Sequence, residues 1–151
     1  MNRNCIPPTT KKVAYHTCNN TNKEIRDKTI CSINTYKDSG EIILTDKIEK
    51  LNHEWDTERI LEANAASVIL LGSIIGYAKK KCLWFLSTGA VGFFLLQHAI
   101  EGWCPPLPII REMGVRTAEE INNEKTVFKI IRGDFSQDTN DGERLLELSE
   151  K

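Results

Sequence analysis

The stretch Cys82–Trp103, CLWFLSTGAVGFFLLQHAIEGW, decides the fold class because it is apolar over nearly its whole length. Its one charged side chain, Glu101, lies close to the end. At about 1.5 Å per residue, a helix of this length crosses a hydrocarbon core of roughly 30 Å. The stretch therefore predicts a membrane-spanning helix.

A second apolar segment, Ala65–Ala78, precedes it and is separated from it by three consecutive lysines, residues 79–81. As a helix this segment is only about 21 Å long. Extending it back to Ile60 supplies most of the missing length and brings Glu62 and Asn64 into the headgroup region. We predict a two-helix transmembrane hairpin. A soluble helical bundle with two very apolar core helices is the alternative, and the short first segment and modest mean hydropathy favour it.

The composition limits the remaining classes. The chain has 151 residues, 20 basic and 21 acidic side chains and a net charge of −1. A chain of this length forms one domain at most. Its net charge gives no positive field that would attract nucleic acid. Five cysteines without a C-x-x-C pair argue against a zinc ribbon or a disulfide-framed secreted domain. The N-terminus lacks the hydrophobic stretch of a cleavable signal.

The flanking segments predict amphipathic polar helices, so the fold class is all-α. A capping box at Thr21–Glu24 predicts a helix from about Asn22 to Lys37, and a second helix is expected to begin near Thr45 and run into the apolar block. Another capping box, Thr117–Glu120, opens a helix that ends at Gly133. Residues 41–44 are predicted as a short extended link.

Five segments follow from these patterns. They are a flexible arm at 1–15, a charged helical segment at 16–59 that runs into the first span, the hairpin at 60–104, a C-terminal helix region at 105–135 and a polar tail at 136–151. Within the tail we expect a linker at 136–142 and a short amphipathic helix at 143–151.

Folding the hairpin about Lys80 predicts which residues share a depth. Glu62 falls level with His98, and Arg59 level with Glu101, so we expect these as pairs, because an ionisable group near lipid is costly unless paired or hydrated. The polar groups gather at the end away from the loop. This predicted cluster comprises Arg59, Glu62, Asn64, Gln97, His98 and Glu101.

Small residues predict where the two helices touch. Gly72 and Gly76 form one small face, and Thr88 with Gly92 forms another opposite it, which allows close approach of the backbones. Aromatic residues lie at both ends of the hairpin, as in the two interfacial belts of a membrane span. They are Tyr77 and Trp84 at the loop end, and Trp55 and Trp103 at the other.

Specific strings resemble a known family. They include Gly102-Trp103-Cys104-Pro105-Pro106, the run from Lys129 to Phe135, and upstream the segments 54–59 and 95–99. Together they resemble the YgaP-like transmembrane family, a prokaryotic family of unknown function, over roughly residues 15–135. The resemblance implies a two-helix hairpin of the cytoplasmic (inner) membrane with cytosolic flanks. The family's namesake carries a rhodanese domain, for which this chain has no room or active-site loop, so no activity follows.

The charges give two answers on orientation. Basic flanks favour both termini in the cytosol, whereas the compact lysine turn at 79–81 favours the reverse. The resemblance decides for a multi-pass protein with both termini cytosolic. The basic flanking residues are Lys47, Lys50, Arg59, Arg111 and Arg116.

Cys104, just after the second span, is the weak candidate for a reactive residue. Its thiol could receive sulfur, join a disulfide between protomers or bind a metal with His98, or it could be a small apolar residue at a Pro-terminated helix end, which we favour. We predict no metal site and no cofactor. No nucleophile–base constellation or phosphate loop is visible, which makes catalysis the less favoured class.

Three functional classes remain open. The leading one is a small membrane protein whose hairpin anchors or oligomerises in the lipid bilayer, while the charged helices contact an unidentified protein partner or one another. The second is a thiol-dependent redox or sulfur carrier centred on Cys104. The third is a small transporter or channel subunit with His98, Glu101 and Glu62 along a polar path.

Overall fold

A computed structural model describes residues 8–135, and every regular element in that range is an α-helix. This confirms the all-α prediction. The linker predicted at 136–142 and the helix predicted at 143–151 lie outside the described residues. The helices are α1 (Lys12–Tyr15), α2 (Asn19–Tyr36), α3 (Glu41–His53), α4 (Thr57–Lys79), α5 (Cys82–Glu101), α6 (Leu107–Glu112) and α7 (Ala118–Arg132).

The described chain divides into two compact units. Unit 1 comprises residues 8–25 and 55–119, and unit 2 comprises residues 26–54 and 120–135. Unit 1 holds the apolar block, and the charged flanking segments make up unit 2.

The hairpin of unit 1 consists of α4 and α5. Asp56 caps the first helix, since its side chain accepts a hydrogen bond of 2.8 Å from the backbone N–H of Arg59. Lys80 ends it in the left-handed conformation with φ 49°, and α5 begins two residues later. The turn therefore lies where the sequence predicted it. Because α4 begins at Thr57, it is about 34 Å long, and the predicted shortfall of the first span disappears.

The apolar side chains of this hairpin face outward. Two runs are long and apolar enough to cross a membrane: Glu41–Lys79, whose apolar part is α4, and Cys82–Glu101. Of their most apolar windows only 17% and 6% of the residues are buried. The core helices of a soluble bundle would be buried instead, so the hairpin has the surface of a membrane protein. Exposed members include Leu70, Leu71, Ile74, Leu86, Phe93 and Leu96.

The rest of unit 1 packs against the end of the hairpin away from the loop. Its core joins Val13, Leu61, Cys104, Leu107 and Ile110, so α1 and α6 both contribute. The last four residues of the predicted flexible arm, 12–15, are therefore helical, because Val13 packs among apolar side chains there. The short helix α6 begins directly after Pro105 and Pro106 and has Pro108 in its first turn, where no N–H partner is needed.

Unit 2 has the core of a water-soluble domain. Leu44, Ile48 and Leu51 of α3 pack with Ile121 and Phe128 of α7. The helix predicted from the Thr117 capping box is confirmed, since α7 begins at the next residue and ends at Arg132 before Gly133.

Three details of the predicted flanking helices are wrong. Residues 41–44 are helical rather than extended, because Gly40 serves as an extended N-cap and places Glu41 in the first turn. The helix does not run on into the apolar block, since the chain is extended at Glu54 before the Asp56 cap. Finally, α2 begins at Asn19, so Thr21 lies inside its first turn rather than at its cap.

Candidate functional site

The most unusual group of side chains in unit 1 lies where α5 ends. His98 is in the last turn of that helix and is only 3% exposed. The helix stops at Gly102, whose N–H donates 2.8 Å to the His98 carbonyl with φ 82°. A Cβ at Gly102 would lie 2.5 Å from Lys12 Cβ. Glycine is thus required there both by the backbone conformation and by the close approach of α1.

The His98 ring is held by a carboxylate from the other helix of the hairpin. Its Nε2 lies 3.1 Å from Glu58 Oε2, and Glu58 Oε1 lies 3.3 Å from Lys12 Nζ. An ionised carboxylate only accepts hydrogen bonds, so Nε2 carries the proton and donates. In the neutral ring Nδ1 then holds the free lone pair. That atom is buried and has no hydrogen-bond partner.

The predicted pairing of His98 with Glu62 is therefore wrong by one helical turn. Glu58 and Glu62 are four residues apart and lie on the same side of α4, so either could face His98. The depth argument chose Glu62 because it assumed that the two helices stay in contact along their whole length. Near the loop the predicted register holds: a Cβ on Gly72 would meet Thr88 Cγ2 at 2.7 Å. Apolar space opens between the helices further from the loop.

The Cys104 side chain adjoins the same His98 ring and interacts with it. Of the four cysteines in the described part of the chain, Cys104 is buried, at 3% exposed, whereas Cys18, Cys31 and Cys82 are exposed. Its carbonyl accepts from the Leu107 N–H at 3.1 Å, which fixes the chain where it turns into α6. The carboxylate of Glu58, the ring of His98 and the thiol of Cys104 therefore lie next to one another in that order. We call these three residues the thiol–imidazole cluster.

An apolar cavity of about 390 Å³ adjoins this cluster. Its walls come from α4, α5 and the start of α6, and both His98 and Cys104 line it. Val68 and Ile109 line it as well and are 51% and 64% exposed, so the cavity opens to the surroundings of the hairpin. Apart from His98 and Asn64, the lining side chains are apolar. Such a volume lies at the lower end of the range of small-molecule sites.

The other residues of the predicted polar cluster are dispersed around the helix ends. Arg59 stacks over the Trp55 ring, 4.9 Å from its centroid, rather than pairing with Glu101. The Gln97 amide lies 3.5 Å from Glu101 Oε2, along α5 itself. Asn64 donates 2.9 Å to the Ile60 carbonyl and lines the cavity, whereas Glu62 is exposed. The structure thus places one predicted member, His98, in the thiol–imidazole cluster.

Of the residues predicted to pack the two helices together, some lie at the contact and one does not. Gly72 and Gly76 are buried against α5, where a Cβ on Gly76 would lie 3.0 Å from Trp84 Cβ. Thr88 faces Gly72 across the pair. A Cβ on Gly92, by contrast, would meet nothing within 4 Å, because the helices have separated at that level.

Sequence reasoning missed two buried polar contacts that support the site. Arg111 of α6 is fully buried, and its guanidinium donates to Thr17 Oγ1, the Val115 carbonyl and Asn22 Oδ1 at 3.1, 2.8 and 2.9 Å. Thr57, also fully buried, donates 2.9 Å from its hydroxyl to the Arg116 carbonyl. Within unit 1 these bonds join α6 to α2 and to the segment before it, and join α4 to the segment that follows α6. The sequence analysis named Arg111 only as a basic flanking residue, and nothing in the sequence marked it as buried.

The chemistry available at the cluster is that of a thiol, a base and a carboxylate. Within residues 8–135 no group of three or more His, Cys, Asp or Glu side chains has the arrangement of a metal site. A nucleophile beside a base that is itself oriented by a third group is the arrangement used in covalent catalysis.

The comparison with known families matches the hairpin. Residues 56–120 match the family described as "Inner membrane protein YgaP-like, transmembrane domain". The matched segment covers α4, α5, α6 and the start of α7. The resemblance found in the sequence is confirmed over this segment, which matches a membrane-protein domain and contains both apolar helices of the hairpin. No curated protein and no solved structure matches the chain.

Proposed function

We propose, from the premise that residues 56–120 form a YgaP-like transmembrane domain, that this protein is a membrane-anchored interaction module. In this proposal the hairpin fixes the chain in the bilayer and unit 2 contacts a protein partner. The observation that carries it is the contrast in surfaces. Most apolar residues of α5 face outward, whereas α3 and α7 pack together through a buried apolar cluster of Leu44, Ile48, Leu51, Ile121 and Phe128.

Membrane fractionation tests the anchor. We expect the full chain to remain in the membrane pellet after alkaline carbonate washing and to leave it only with detergent. Replacing the exposed leucines Leu70, Leu71 and Leu86 by serine should release a large fraction, because each loses favourable burial in lipid. The matched control replaces exposed Ile42 and Ile43 of α3 by serine and should stay in the pellet. Recovery of the unaltered chain in the supernatant contradicts the proposal.

We further propose that both termini lie in the cytosol and that the loop at 80–81 faces the opposite side. The basic residues flanking the hairpin support this orientation. Cys82 and Cys18 are both exposed and lie on opposite sides of α4 along the chain, so they make a matched pair of probes. A variant that keeps only Cys82 should react with an impermeant maleimide on intact cells. A variant that keeps only Cys18 should react only after permeabilisation, and the reverse pattern would overturn the orientation.

Self-association through the hairpin is the remaining part of the proposal. It is supported by the outward face of α5, where Gly89 is exposed and a Cβ on it would meet nothing within 4 Å. Energy transfer between donor- and acceptor-labelled chains in vesicles should persist when the lipid-to-protein ratio is raised tenfold. Transfer that falls in proportion to dilution would instead indicate a monomer.

A further inference from the structure

We propose that Cys104 is a site of long-chain S-acylation, at which the thiol takes an acyl group from an acyl thioester and the acyl chain occupies the adjoining cavity. Cys104 and His98 both line that cavity of about 390 Å³. The inference concerns a covalent activity of this chain and goes beyond the anchoring function proposed above.

The first support is the arrangement of the three side chains. The carboxylate of Glu58 accepts from His98 Nε2 at 3.1 Å, which fixes the ring and leaves Nδ1 as its basic nitrogen. That nitrogen is buried without a hydrogen-bond partner, and the Cys104 side chain adjoins the ring. A buried polar atom without a hydrogen-bond partner destabilises the fold, so its retention suggests a role in which it gains one.

The second support is the character of the cavity. Leu61, Val68, Val91, Phe94 and Ile109 are among its lining residues, and a polar sulfur donor or anion would lose its hydration there with few polar partners in return. An alkyl chain loses no hydrogen bonds there and is stabilised by the burial of each CH₂ group. Val68 and Ile109 line the cavity and are also exposed on the surface of the hairpin. An acyl chain can therefore enter the cavity laterally from the lipid.

The reaction is a transthioesterification and needs no oxidant or reductant. His98 takes the proton of the Cys104 thiol, and the sulfur attacks the carbonyl carbon of the donor thioester. The new carbon–sulfur bond forms at Cys104 while the donor's carbon–sulfur bond breaks. The departing thiolate takes the proton back from His98. Glu58 stabilises the positive charge on the ring in between.

The first experiment maps the modification in cells. The full chain is expressed with an alkyne-tagged long-chain fatty acid, and membranes are analysed by dye coupling, neutral hydroxylamine cleavage and peptide mass mapping. We expect a hydroxylamine-sensitive acyl group on the peptide containing Cys104. It should be lost in Cys104→Ser and kept in Cys82→Ser, which removes an exposed cysteine of the same hairpin.

The second experiment measures the reaction in detergent, where membrane orientation has no effect. Purified chain is mixed with a long-chain acyl thioester, and acylated protein is followed by intact mass. His98→Gln should slow acylation at least tenfold, since a positioned general base contributes roughly 10²–10⁴-fold. Failure here leaves the anchoring proposal standing, because fractionation tests that separately.

A cavity variant keeps the inference testable even where Cys104→Ser does not fold. Val68→Trp narrows the cavity and should shift the preferred donor to shorter acyl chains. Leu70→Trp, exposed on the same helix outside the cavity lining, should leave the chain-length preference unchanged. A free Cys104 thiol in cells together with no acylation of the purified protein overturns the proposal. So does acylation of Cys82 at the rate of Cys104, or an unaltered chain-length preference in Val68→Trp.

Discussion

The two units of this protein distribute polar and apolar side chains in opposite ways. Unit 2 encloses Leu44, Ile48 and Phe128 and keeps most of its charges outside. Unit 1 exposes leucines and phenylalanines along α4 and α5, while it buries Thr57, His98 and Arg111. The same hydrophobic effect produces both patterns when the surroundings differ, since lipid offers apolar groups as good an environment as a protein core does. The surroundings of each unit can thus be read from its surface.

The largest effect should come from truncating the same residue type in each unit. Phe128 is fully buried, so Phe128→Ala should lower the free energy of unfolding of unit 2 by about 3–5 kcal/mol. Phe93, 63% exposed at the middle of α5, is the control, and Phe93→Ala should leave that value unchanged within about 0.5 kcal/mol. Hydrogen exchange of the α3 and α7 amides in the detergent-solubilised full chain measures both. Equal losses would remove the distinction between the units.

The contrast is sharpened by placing a charge on each exposed surface. Phe93→Arg should reduce membrane insertion by about 2.5–3.5 kcal/mol, the cost of an arginine near the centre of a span. Ile42→Arg, at a position of α3 that is 87% exposed, should have no effect on insertion. The inserted fraction can be measured from glycosylation tags in a translocation assay. An unaffected Phe93→Arg would mean that lipid does not surround α5.

The sequence predicted the hairpin, its turn at Lys80 and the helix α7, because each rests on a local signal such as apolar length or a capping box. It did not predict that Glu58, rather than Glu62, would meet His98. Both carboxylates share a helix face, and only the divergence of α4 and α5 selects between them. The burial of Arg111 depends on partners far away in the chain, Thr17 and Asn22, and so has no local signal. Cys104 was recognisable as a candidate and His98 as its possible neighbour, but the cavity beside them was not.

A smaller effect is expected where the two helices of the hairpin touch. A methyl group at Gly72 would lie 2.7 Å from Thr88 Cγ2, so Gly72→Ala should destabilise the hairpin by about 1–3 kcal/mol. Adding Thr88→Ser removes that methyl group and should restore most of the loss. Gly89→Ala, with nothing within 4 Å, serves as the control. Reversible unfolding in mixed micelles gives the three values, and a neutral Gly72→Ala would place the helices further apart than described.

The smallest effect concerns a charge inside unit 2. Lys129 is 4% exposed, and burial, with a lesser contribution from Lys125, lowers its pKa below 10.5. Between this lowered pKa and 10.5 the unfolded chain binds more protons at Lys129 than the folded chain does. The contribution of Lys129 to stability therefore rises with pH in that window.

In Lys129→Met this contribution is absent, so the stability of the native chain relative to the variant should rise as pH approaches 10.5. Hydrogen exchange or urea unfolding of both chains at matched alkaline pH values gives the difference, in which other titrating groups cancel. A difference that is constant with pH would show that Lys129 keeps an ordinary pKa, and a falling difference would show that its pKa is raised. Either result would mean that unit 2 does not withdraw this charge from water.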